Sequence, residues 1–190
     1  MSLIDFLLIK QKSKEQRLTD SEKYYKSKYD FYTKYLDKYT SSYYKVLHNR
    51  CQVEHQTTLN IKLPNNLSFG QDYYEVLNIL GQPSFCYRYK ENDQHVILAY
   101  KDLTMSSFTT TTYHFYNDEL ILVGFDYANL SPEEQKICLH DYINQLGMRH
   151  LKHLENPFLL KDSKKNFLLA HVNRRLKIYL GCPKVLVLND

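Results

Sequence analysis

Tryptophan is absent from this chain, glycine and proline occur five times each, and cysteine only four times in 190 residues. So few glycines leave no Gly-rich loop of the kind that cradles a phosphate, and there is no G-x-S-x-G nucleophile turn. The thiols Cys51, Cys86, Cys138 and Cys182 lie far apart and form no C-x-x-C pair. Neither a zinc site nor a disulfide framework is written locally, and free, mostly buried thiols are expected. No apolar run approaches the roughly 18 residues needed to span a bilayer. At the N-terminus Asp5 interrupts the apolar stretch and no basic residue precedes it, the reverse of a secretory signal. The expectation is a cytoplasmic chain, unless an export segment has been removed.

Tyrosine fills the aromatic space instead, with 18 copies beside 9 phenylalanines. The net charge of +4 is unevenly spread: residues 1–50 hold 11 Lys or Arg against 6 Asp or Glu, and the rest hold 14 against 15. The positive field belongs to the N-terminal part. From Leu18 to Val46 there is no Gly or Pro, and from Tyr25 the steps through Tyr29, Tyr32, Leu36, Tyr39, Tyr43 and Val46 alternate between four and three. That spacing predicts one face of a long helix, with Thr19, Asp20 or Ser21 as its cap. Each tyrosine ring has an apolar body and a hydroxyl that wants a partner when buried, so such a seam suits a half-wet groove. It packs on the chain's own sheet, on a partner or second copy, or, with Lys26, Lys28, Lys34 and Lys38 interleaved, along a nucleic acid. A Tyr- and Lys-rich helical arm over 1–50 and a second domain over 57–190 are expected.

Between them Thr57–Leu63 alternates like a strand or extended linker, and Pro64-Asn65-Asn66 makes a turn. Leu67 to Pro83 then writes a complete short helix. Gly70 permits a sharp entry, Asp72 caps, Glu75 sits in the first turn, Val76, Leu77, Ile79 and Leu80 form the apolar face, and Gly81 and Pro83 stop it. Four alternating segments follow: Phe85 to Lys90, His95 to Leu103, Thr109 to Tyr116 and Leu120 to Tyr127. Glu91–Gln94 and Asn117–Glu119 link them with hairpin chemistry, which makes an antiparallel meander the economical outcome.

Leu67, Gly70, Val76, Leu80, Gly81 and Pro83 fit the spacing L-x-x-G-x-x-x-x-x-V-x-x-x-L-G-x-P. With the strands in order after it, residues 60–147 resemble the module of β-lactamase inhibitory protein and of the SmpA/OmlA-type outer-membrane lipoproteins. The resemblance implies a short helix pair packed on a four-stranded antiparallel meander, and a protein that holds another protein instead of carrying out chemistry.

Alternation places Phe85, Tyr87 and Tyr89 on one side of the first strand, Tyr113 and Phe115 on one side of the third, and Ile121, Val123, Phe125 and Tyr127 on one side of the fourth. One strongly aromatic face results, although the period alone does not say which face meets the helices. After the sheet, Ser131-Pro132-Glu133-Glu134 opens a helix that Gly147 ends. Phe167 to His171 and Leu176 to Leu180 read as a hairpin, and Val185 to Leu188 as a terminal strand.

Chemistry is weakly written. His150 and His153 are the one close histidine pair, lacking a carboxylate or thiol at ligand spacing, so no metal and no cofactor are expected. Lys161, Lys164, Lys165, Arg174, Arg175 and Lys177 form a second basic area near the C-terminal hairpin. The reading that results is an α+β protein without catalytic residues that binds a protein partner or itself. Its contacts are Tyr87, Tyr89, Tyr113, Phe115 and Tyr127 on the sheet and Tyr25, Tyr32 and Tyr39 on the arm. The alternatives are a nucleic-acid binder using the basic arm and an enzyme with a non-local site.

Overall fold

Asp72 starts the helix Tyr73–Leu80 by accepting a hydrogen bond from Tyr74 N, and Gly81, at φ +76°, ends it by donating to Leu77 O. It is the second helix, α2, of a computed structural model that describes residues 41–88, 94–103, 108–149, 151 and 153–188. The capping residues read from the sequence perform their expected roles. A single 3-10 turn, Pro64–Asn66, precedes α2, so the expected helix pair is one helix and one turn.

The first helix, α1, is Ser41–Arg50. The arm residues before it lie outside the described ones, Tyr25, Tyr32 and Tyr39 among them. Residues 39–190 form one compact unit, so α1 belongs with the sheet. Its buried side chains are Tyr44 and Leu47, whereas Val46 of the expected seam faces solvent. Packing against the sheet thus uses Tyr44 and Leu47, one residue later than the seam that includes Val46.

Among the described residues eight strands make one sheet. They are β1 Glu54–Gln56, β2 Phe85–Arg88, β3 His95–Leu103, β4 Phe108–Tyr116, β5 Glu119–Ala128, β6 Phe158–Lys161, β7 Phe167–Asn173 and β8 Arg175–Gly181. Their order is β1-β6-β7-β8-β5-β4-β3-β2, and among the described residues β1–β6 is the one parallel pair. The expected four-stranded meander is β2 to β5. The C-terminal hairpin, β7–β8, does not stand apart from it, because β8 pairs with β5 and extends the same sheet. Helix α3, Pro132–Gln145, leads into β6–β7–β8 as α2 leads into β2–β5, so the order of helix then meander occurs twice. The last strands of the two meanders meet at the centre.

Asn117 and Asp118, both at positive φ, form the two-residue turn between β4 and β5, a geometry that matches sheet twist. A bulge between His114 and Phe115 then shifts the register, pairing Phe115 with Leu120 and His114 with Leu122. Leu120 thereby joins the face of Val123 and Phe125, which simple alternation denies it.

The expected terminal strand over Val185–Leu188 is instead a helical turn, α4, Lys184–Val187. Cys182 N donates to Ile121 O, and Pro183 then takes helical dihedrals that turn the chain away. Lys45 of α1 reaches the carbonyl of Leu188 after this turn.

Both faces of the sheet are covered. Val76 of α2, Leu139 and Ile143 of α3, and Ile61, Leu63 and Leu67 of the connecting strap share one core with Leu98, Tyr113, Val123, Leu180 and Leu168. Tyr44 of α1 packs on the opposite face, edge-on to Tyr179 and to His114. There Gly181 lies beneath the ring of Phe167, where a Cβ would come within 2.2 Å of Cζ. No helix among the described residues is long and apolar enough to cross a membrane.

Candidate functional site

Register decides what becomes of the aromatic strand residues. Phe85 pairs with Ala99 and Tyr87 with Ile97, which puts Tyr87 on the α1 side of the sheet. Tyr113 and Phe115 occupy the other side, under the helices, with Tyr127. The single aromatic face expected from alternation is therefore split between the two sides. Tyr113 and Phe115 are buried within the chain and present no surface, Tyr87 and Tyr127 are half-buried, and Tyr89 lies outside the described residues.

Beneath the helices the rings form two tiers. The inner tier is Phe115, Tyr113 and Phe125, all buried. Each meets a half-buried tyrosine of the outer tier. Tyr73 stands edge-on to Phe115 at 5.3 Å, Tyr100 edge-on to Tyr113 at 5.6 Å, and Tyr127 and Tyr142 lie 6.3 and 5.9 Å from Phe125. Such contacts hold ring orientation beyond simple area burial.

Outer hydroxyls are engaged inside the chain. Tyr100 Oη donates to Gly81 O at 2.9 Å, and the hydroxyls of Tyr127 and Tyr142 bond each other at 3.1 Å. Burial pushes the Tyr100 phenol up to about 12, helped by Tyr73 and Cys86 nearby. Burial likewise raises Tyr127 and Tyr142, so all three stay neutral. What this tier offers outward is ring surface. Beside it α2 exposes Tyr74, at 65% of its surface, and Ile79. Sequence reasoning passed over Tyr73, Tyr100 and Tyr142, yet Tyr100 continues the inward alternation of Val96 and Leu98 and was open to detection.

The α1 side buries polar groups among its apolar ones: Thr112, His114 and Asp126. The Thr112 hydroxyl donates to Gly124 O at 3.4 Å, and His114 Nε2 lies 3.2 Å from Thr112 Oγ1. Gly124 keeps this space open, since a Cβ there would stand 2.8 Å from Thr112 Oγ1. Burial, with His95 at 5.8 Å between ring centroids, holds His114 well below the ordinary histidine value.

A histidine held neutral in the fold but charged when unfolded stabilises the fold fully only above the unfolded value of about 6.5. Stability should fall as the pH drops below that, with a slope approaching about 1.4 kcal/mol per pH unit for this group. Denaturant unfolding of His114→Gln between pH 7 and pH 5 should show a clearly flatter dependence than wild type. An equal slope would assign the effect elsewhere.

Near the β1 edge, His55 Nε2 lies 3.1 Å from Glu155 Oε2 and its ring stacks on Phe158 at 5.0 Å. The pair is beside Cys51, whose thiol is pushed up by burial and by Glu155 and bonds Leu47 O. A thiol so placed is a poor thiolate source, which makes this constellation a structural clasp for the edge strand. His153 is exposed and its neighbour His150 lies outside the described residues. Among the described residues no group of three or more His, Cys, Asp or Glu could hold a metal ion. Comparison of the chain with protein-family models, curated proteins and solved structures gives no match.

Proposed function

We propose that this chain is a protein-binding module that grips its partner with the outer tyrosine tier and the exposed side of α2. The observation that carries the reading is the two-tier packing, in which Tyr73, Tyr100, Tyr127 and Tyr142 are oriented by buried rings behind them. Tyr100, Tyr127 and Tyr142 also have their hydroxyls bonded internally. Pre-oriented aromatic surface loses little rotamer entropy on contact, which is why such residues anchor interfaces. Tyr74 and Ile79 extend the surface with apolar area that no described neighbour covers. The inhibitor-like pattern at Leu67 to Pro83 points the same way.

Affinity capture from native lysate tests the reading with three chains: wild type, Tyr74→Ser/Tyr100→Ser, and Val187→Ser. Val187 is 73% exposed on α4, which packs with α1 away from the tyrosine tier. Wild type and Val187→Ser should retain a common polypeptide, and the double variant should lose at least about tenfold of it while its melting stays cooperative, as removing two interface anchors demands. Equal retention by all three would reject this surface.

A further inference from the structure

The strap from Thr57 to Phe69 crosses the helix side of the sheet and leaves a cleft of about 390 Å³ between itself and α3. Leu59 of the strap and Leu146 and Tyr142 of α3 and its end give it apolar surface, with the buried Ile61, Leu168 and Leu180 behind them. Lys62 is the one charged side chain among the residues that line it. A second groove, about 550 Å³, adjoins across Ile61 and Lys62 and adds Lys164 at its border. Neither lysine makes an ion pair with another described residue.

We propose that the cleft between the strap and α3 binds a small amphiphile, its alkyl or ring portion lying against Leu59, Leu146 and Tyr142 and its anionic head at Lys62. This does not rest on the protein-binding reading, although Tyr142 borders both the cleft and the outer tyrosine tier. The cleft falls in the lower part of the range typical of ligand sites, roughly 300–1,000 Å³, which suits one medium-length chain and not a folded partner. The site is built before any ligand arrives. Thr57 Oγ1 donates to Leu146 O at 2.8 Å, and Ile61 N donates to the buried carboxylate of Asp162 at 3.0 Å, so the strap is tied down on both sides of the opening. Fixed walls spare the ligand the cost of ordering them. Apolar walls with one positive group at the rim select an apolar body carrying a negative end.

Calorimetric titration of the full chain with dodecanoate, kept below its micelle concentration, tests this. Saturable one-to-one binding is expected. Lys62→Ala should weaken it about tenfold, the scale of a lost charge-assisted hydrogen bond, and dodecanol should bind wild type about that weakly too. Gln145→Trp, placed at an exposed lining position, should fill the cleft and abolish binding with melting unchanged. Absence of saturable binding overturns the proposal. Retained binding in Gln145→Trp overturns the location, and unchanged affinity in Lys62→Ala overturns the anionic head.

Discussion

Replacing Phe115 by Ala should lower the unfolding free energy by about 3–5 kcal/mol, the range for deleting a fully buried aromatic ring. Phe115 is 0% exposed, lies in the same core as Val96 and Leu120, and carries Tyr73 edge-on. Its loss removes the transfer energy of the ring and leaves a cavity that the strands on either side cannot close. Tyr100→Ala, in the outer tier, should cost far less, on the order of 1 kcal/mol, because its ring is already half in water and its one hydroxyl bond is exposed. Urea unfolding of both variants separates the tiers. Similar losses at the two positions would mean that the inner and outer rings are not distinct, and the interface reading would lose its basis.

The second large effect lies in a single carboxylate. Asp162 is buried, and its two oxygens accept four hydrogen bonds: Oδ1 from Lys164 N and Asn166 N, both at 2.9 Å, and Oδ2 from Ile61 N at 3.0 Å and Asn166 Nδ2 at 3.1 Å. It closes the turn between β6 and β7 and holds the strap in the same act. Asp162→Ala leaves three backbone donors without acceptors, the buried Ile61 N at a cost of about 1–3 kcal/mol and the part-buried Lys164 N and Asn166 N at less, so a total loss of about 3 kcal/mol is expected. Asp162→Asn keeps the shape but trades one acceptor oxygen for a donor, and should fall between. Amide exchange should report the same event locally, with Ile61 N–H losing protection in Asp162→Ala before the β5 amides do. A loss under about 1 kcal/mol would show that water replaces the carboxylate without penalty.

What the sequence made legible was local. The cap at Asp72, the cap at Ser131, and the tight turn at Asn117-Asp118 each depend on residues within four positions of one another, and each forms as expected; Glu134 adds the reciprocal bond of a capping box. Pairings that depend on distant chain were not legible. Nothing near Glu54–Gln56 says that it will run parallel to Phe158–Lys161, a hundred residues later, nor that β8 will join β5. Alternation tells which residues of one strand share a side, but the registers between strands decide how those sides line up. That is why Tyr87 and Tyr113 part company despite equal parity. The bulge at His114/Phe115 adds one residue that no period reveals, and it carries Leu120 into the core. Val185 to Leu188 has the composition of a strand, but Cys182 makes the last bond to β5 and Pro183 already has helical dihedrals. The strap was foreseen as an extended segment, and Ile61 and Leu63 do alternate inward, yet the Asp162 carboxylate that fixes it lies a hundred residues away.

Tyrosine footprinting tests the central claim most directly. The free chain and the chain carrying its captured partner are each nitrated, and modification is read residue by residue. In the free chain Tyr74, 65% exposed, should label readily, while Tyr113 and Tyr179, 3% and 1% exposed, should stay unmodified. With partner bound, Tyr74 should become protected and Tyr113 and Tyr179 should not change. Undiminished labelling of Tyr74 in a complex that remains intact would contradict the account.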